Sequence, residues 1–207
     1  MRSVPVILLV RGGSKRLPGK ALLPWRGTTL LRHAIAQCLE CEHVSGVVVA
    51  TDDDALIQHA RGGIFTKDVA GLAYAKIQDS ASKTLERFGH KFDTIKRPPV
   101  PDDQTSLEGL RWVQDQLGLH ASYVMLVQCT AATINAGDLT RLVMTADLPT
   151  TEIWALGARG KPSGMAWLVP PWVKTTVPNR FVEQDAALCD IDTLEQYEEA
   201  RSKWDVS

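Results

Sequence analysis

The stretch from Arg11 to Lys20 reads RGGSKRLPGK and carries four cations, Arg11, Lys15, Arg16 and Lys20, within ten residues. Gly12, Gly13 and Gly19 permit close backbone approach to a ligand and can aim N–H groups at it, and Ser14 adds a hydroxyl. A nucleoside triphosphate suits such a loop, because its charge has to be neutralised before an oxygen can attack phosphorus. The loop is neither a Walker A sequence nor a GxGxxG fingerprint: Ala21 follows Gly19-Lys20, and the glycine spacing differs. A solvated basic loop is the plainer alternative.

A second set lies far down the chain. Asp190 and Asp192, in CDIDT, are two residues apart, so on a strand both carboxylates face the same side and can reach one cation. Mg²⁺ takes one or two carboxylates together with phosphate oxygens and water. Strand-end and helix-capping acids are the alternative. Asp52, Asp53 and Asp54 cannot all face one ligand; one reads as the cap of the next helix, the others as structural or nucleotide-positioning groups. Gln128 and Thr130 carry side chains able to hydrogen-bond a base or a sugar, and Cys129 between them reads as core. Cys38 and Cys41 form a CxxC on a helix, but one such pair with Cys129 and Cys189 makes neither a disulfide framework nor a four-thiolate zinc site, so reduced thiols are expected. No GxSxG occurs, and the five histidines are scattered.

The elements that must position these residues follow from hydrophobic spacing. Val4–Val10 is apolar without alternation, a buried strand running straight into the cationic loop. Short apolar strands are expected at 47–50 and 123–128, ending at TDDD and QCT, with further strands at 92–95, 153–156, 165–169 and 188–191. Helices are expected at 29–39, 53–60, 78–88, 105–117, 136–146 and 193–204. Strands alternating with helices predict a three-layer α/β/α fold with a mostly parallel sheet, whose ligands sit beyond the carboxyl ends of the strands. That puts RGGSKRLPGK, TDDD and QCT in one place. The chain reads as one domain over 1–207. A short irregular arm is expected at about 149–180, which holds five of the eleven prolines.

Hydrophobic residues are 44% of the chain and charged residues 23%, values of a globular protein rather than a disordered, collagenous or coiled-coil one. The net charge of −1 gives no global basic field for nucleic acid or a membrane surface. The early apolar run is too short for a membrane span or a secretory signal, so a cytoplasmic location is expected.

Five ordered blocks carry a resemblance. VPVILLVRGGSKRLPGKALLPWRGTTLLRHAI is similar to the amino-terminal signature of the sugar-acid cytidylyltransferases, the acylneuraminate and 3-deoxy-manno-octulosonate enzymes, and RLPGK is especially similar to the octulosonate and spore-coat-polysaccharide branches. VVVATDDDALIQHA, RPPVPDDQTSLEGLRWV, YVMLVQCTAATINAGDLTRLV and CDIDTLEQYEEAR resemble the blocks that follow in that family. The resemblance implies a nucleotide-diphosphosugar transferase fold and transfer of a nucleoside monophosphate, CMP from CTP, to a sugar acid with release of pyrophosphate. By the same likeness Arg11, Gly12, Gly13, Ser14, Lys15 and Lys20 bind the triphosphate and Gln128 sits beside the sugar. Asp190 and Asp192 hold Mg²⁺, Arg11 and Lys20 share the catalytic work with them, and a homodimer is the implied assembly. The chain departs from the family at Ala21, where an asparagine is usual, and at QCTAATI, where the family has QPTSPLR. Set against the family, about 61–83 reads as an insertion able to act as a lid, where Lys67 or Lys76 can touch phosphate. A different acceptor such as a sugar phosphate, and a nucleotide-binding module without turnover, are the competing expectations.

Overall fold

The computed structural model describes residues 3–62, 84, 87, 91–101, 104–119, 123–146, 152–158, 161–171, 178, 180–183 and 189–204. The first strand, β1 (Val4–Val10), is buried on both faces, which is why its sequence is apolar without alternation. It pairs in parallel with β4 (Val44–Thr51) on one side and β6 (Val124–Val127) on the other. Pro5 has no N–H for the ladder, and the register with β4 slips there, from Val4 opposite Val44 to Pro5 opposite Gly46.

Among the described residues the sheet has seven strands in the order β5-β4-β1-β6-β8-β7-β9, with β5 at Phe92–Lys96, β7 at Trp154–Ala158, β8 at Lys161–Val169 and β9 at Arg180–Glu183. Only β8 runs against the others: it is antiparallel to both β6 and β7, while β9 is parallel to β7. A small hairpin, β2 (Pro24–Trp25) with β3 (Thr28–Thr29), stands apart from it.

Alternation along β1 divides the core. Val4, Val6, Leu8 and Val10 pack with apolar residues of α1 (Leu30–Glu40), α2 (Asp54–Ala60), α4 (Ala136–Thr145) and α5 (Leu194–Trp204). Ile7 and Leu9 face the other way, onto α3 (Ser106–Leu117) through Leu107, Leu110 and Val113. The sheet is therefore sandwiched between helices on both faces, the expected three-layer α/β/α architecture.

The helices start where side chains can hold their first N–H groups. Thr29 Oγ1 accepts from Arg32 N at 3.4 Å, and Asn135 Oδ1 accepts from Asp138 N at 3.0 Å. Thr105 and Glu108 form a capping box on α3, with Glu108 Oε2 accepting from Thr105 N at 2.7 Å and Thr105 Oγ1 accepting from Glu108 N at 3.2 Å.

Three expectations need correction. The arm at 149–180 is not wholly irregular: 154–158 and 161–169 are strands of the main sheet, because their apolar residues complete the core beyond β6. The strand at 188–191 is reduced, among the described residues, to one antiparallel bridge between Ala131 and Asp190. Strand β9 and the β2–β3 hairpin were not expected; both are too short to show periodicity. The insertion at 61–83 with Lys67 and Lys76, and most of the helix expected at 78–88, lie outside the described residues.

Candidate functional site

The cationic loop leaves β1 at its carboxyl end and is held at both ends. Leu17, Ala21, Leu22 and Leu23 are buried in the main core, while Gly13, Lys15 and Arg16 stay exposed. Gly19 takes φ 70° and turns the chain into a short 3-10 helix, Lys20–Leu22. At the near end, Gly12 N donates to Asp52 Oδ1 at 2.9 Å. A Cβ on Gly12 would lie 2.6 Å from Asp53 Cβ, so only glycine lets the loop lie this close to the turn after β4.

The acid turn thus divides its labour. Asp53 Oδ1 accepts from Ala55 N at 2.7 Å and caps α2, and Asp54 pairs with Lys96. Asp52 anchors the loop. One sequence expectation changes as a result: the Gly12 amide is committed to Asp52 and is not among the groups lining the cleft, whereas Gly13, with nothing within 4 Å of a Cβ built on it, is.

The cleft beyond the strand ends has a volume of about 420 Å³. Arg11, Lys15, Arg16, Lys20 and Arg97 line it, with Ser14 and Gln128, and no carboxylate does so among the described residues. Arg11 Nη2 donates to Gln104 O at 2.8 Å, tying the loop to the entry of α3. Sequence reasoning missed Arg97. It is 6% exposed at the carboxyl end of β5, and its Nη2 donates to Val10 O at 3.5 Å. Burial pulls its guanidinium below the usual range, the Asp52 carboxylate pushes it back up, and Arg11 lowers it again. Nothing local marks this arginine. Its importance comes from β5 pairing with β4, which sets Arg97 against Val10 (Arg97 N donates to Thr51 O at 2.9 Å).

The acidic pair arrives from the other end of the chain. The loop after β6, QCTAATI, is laced to the segment before α5: Ala132 N donates to Cys189 O at 3.1 Å, Ile191 N donates to Thr130 O at 3.1 Å, and Ala131 bridges Asp190. The Gln196 side chain accepts from Asp192 N at 2.8 Å and Thr193 N at 3.0 Å. Held in this way, Asp192 meets the cationic loop. Lys20 Nζ donates to Asp192 Oδ1 at 2.8 Å, and Arg16 Nη2 lies 2.9 Å from Asp192 Oδ2. Asp190 is exposed, and its charge and that of Lys20 both act on the Cys129 thiol, which burial pushes up to about 11.

The loop, Gln128 and Asp192 therefore come together, with Asp190 two residues along and bridged to Ala131. The acids do not form a closed metal cage: no group of three or more His, Cys, Asp or Glu side chains able to hold an ion occurs among the described residues. The Asp190 and Asp192 carboxylates are nevertheless hard-oxygen donors of the kind Mg²⁺ accepts when phosphate and water complete its shell. Cys38 and Cys41 are buried and reduced, and burial pushes the Cys38 thiol well above its ordinary value. No helix among the described residues is long and apolar enough to cross a membrane.

The chain is similar to known proteins in sequence and in fold. Residues 5–62 match the family model described as Cytidylyltransferase. A 3-deoxy-manno-octulosonate cytidylyltransferase of Anaeromyxobacter dehalogenans is 41% identical over 90 residues, which is 42% of this chain and 37% of that protein. Another, from an Anaeromyxobacter species, is 33% identical over 109 residues, 53% of this chain and 41% of that one. These matches span well under half the length of the curated relatives. Among solved structures, CMP:2-keto-3-deoxy-manno-octonic acid synthetase complexed with CTP superposes with a TM-score of 0.66 at 17% identity, covering 97% of both chains. A Mycobacterium tuberculosis protein solved in complex with manganese has a TM-score of 0.61 at 15% identity, covering 95% of this chain and 97% of that one. At these identities the structures show the fold: this chain has the α/β fold of the cytidylyltransferases.

Proposed function

We propose that this chain, whose residues 5–62 match the cytidylyltransferase family model, transfers CMP from CTP to a sugar acid of the 3-deoxy-manno-octulosonate type and releases pyrophosphate. One observation supports the reading: five cations and no described carboxylate line a single cleft, and two of those cations, Arg16 and Lys20, meet Asp192. In the reaction, the sugar hydroxyl oxygen attacks the α-phosphorus. The bond from that phosphorus to the bridging oxygen breaks, pyrophosphate leaves with the electron pair, and the hydroxyl proton passes to solvent.

Arg11, Lys15 and Lys20 bind the triphosphate and take up charge on the leaving pyrophosphate. The Gly13 backbone and Ser14 hydroxyl orient it. Arg97, buried and crowded by Arg11, gains a counter-charge when an anion enters. Gln128 orients the sugar. Asp190 and Asp192 would hold Mg²⁺, which when bound supplies Lewis-acid polarisation of phosphate and hydroxyl oxygens. A cytoplasmic homodimer completes the reading.

Pyrophosphate release measured with CTP, GTP, UTP and ATP against a panel of sugar acids and sugar phosphates is expected to be fastest with CTP and a sugar acid. Asp192→Asn and Lys20→Ala are each expected to lower kcat/KM by at least about 100-fold, in the range that loss of a group stabilising transition-state charge produces. Full turnover in both variants overturns the assignment. A second reading, nucleotide binding without turnover, draws on Cys129, Ala131 and Ala132 in the loop facing the sugar side. Calorimetry showing tight CTP binding with no turnover on any acceptor favours it.

A further inference from the structure

We propose that Arg16 is a positioning residue that acts through Asp192, keeping this carboxylate from taking a divalent cation until a polyphosphate is in the cleft. The inference rests on the functional reading above and deepens it. Asp192 has both oxygens engaged: Oδ1 receives Lys20 Nζ at 2.8 Å and Oδ2 faces Arg16 Nη2 at 2.9 Å. A divalent cation approaching Asp192 therefore meets two occupied oxygens and two positive charges. Lys20 belongs to this place whatever is bound, since it is largely buried and its Nζ also lies 3.5 Å from Ile191 O. Arg16 does not: its side chain is 69% exposed and can leave.

Arg16 also lines the cleft, so a polyphosphate offers it a stronger anion than Asp192. Once Arg16 turns to phosphate, Oδ2 of Asp192 is released, and Asp190 stands two residues away with its carboxylate exposed. Nucleotide and cation then bind with positive coupling, which linkage makes reciprocal. The metal arrives at a site that already holds its phosphate oxygens, so an idle chain does not bind it tightly.

The test uses Mn²⁺ alone as the probe, with the full chain and no nucleotide, read by calorimetry or electron paramagnetic resonance. Arg16→Ala is expected to tighten Mn²⁺ binding by about two- to fivefold, the fold-change that one exposed ion pair represents. Arg16→Gln, which keeps the length of the side chain, is expected to do the same and serves if the alanine variant misfolds. In an Asp192→Asn background the same change is expected to leave residual Mn²⁺ binding unaltered. An unchanged Kd in both Arg16 variants overturns the proposal, as does undetectable Mn²⁺ binding in all of them. Equal tightening in the Asp192→Asn background also overturns it, because the effect is then a general field and not a contact. No turnover enters this readout, so it can fail while pyrophosphate release succeeds, or hold while release fails.

Discussion

Lys20 and Asp192 lie 172 residues apart in sequence and 2.8 Å apart in space. Each has a modest exposure of about a quarter or less, which leaves their pairing only partly screened. Arg97 shows the opposite situation: a buried cation next to a like charge, tolerated because Asp52 stands behind it. The protein also buries a neutral base. Burial and the charge of Arg26 hold His33 down at about 4, against an ordinary value of 6.5, although the hydrogen bond its ring donates to the Ile134 backbone works the other way. The folded chain keeps His33 uncharged, while the unfolded chain protonates it near 6.5. The contribution of this residue to stability is therefore intact above that pH and is lost progressively as pH falls towards about 4. Urea denaturation at pH 6.5 and 5.5 is expected to show a loss of about 1 kcal/mol that His33→Asn does not show. At this scale the sequence is legible where chemistry is contiguous. The ten residues of the loop and the spaced acids announce themselves. Arg97, Asp52 and the pairing of Arg16 do not, since each depends on a partner brought in by strand pairing.

The elements are legible through their caps. Thr29, Thr105, Asn135 and Thr193 mark four helix starts to within one residue, because a side-chain oxygen three positions before an N–H is a local fact. Strand β9, four residues with a charged residue at either end, carries no such mark, whereas the equally short β6 shows as an unbroken apolar run. The junction of β1 with its loop gives a paired prediction. Gly12→Ala places a methyl group against Asp53, and overpacking of this kind costs about 1–3 kcal/mol. It is expected to lower the melting temperature and weaken CTP binding in calorimetry. Gly13→Ala, one residue on and with open space around it, is expected to leave stability within about 0.5 kcal/mol. Equal behaviour of the two variants counts against the anchoring of the loop by the acid turn.

The whole molecule is organised by a sheet whose order the sequence does not reveal. Alternating elements predict a parallel sheet, but the reversed β8 and the placing of β9 beside β7 are set by which apolar edges remain uncovered after β6. Helix α5 closes the structure far from where its sequence begins. Tyr197 is 1% exposed in the main core, and its hydroxyl donates to Pro24 O at 2.7 Å. Tyr197→Ala is expected to cost about 3–5 kcal/mol and Tyr197→Phe about 1 kcal/mol by urea denaturation. Circular dichroism and tryptophan fluorescence are expected to report one coincident transition, because the same core holds residues from Val4 to Ala200.

The bridge between Ala131 and Asp190 has a consequence for the order of assembly. It joins positions far apart in the chain, so the entropy of closing the intervening loop has to be met before Asp192 can reach Lys20. The contact between the cationic loop and this acid is therefore expected to be among the late ones to form as the chain folds.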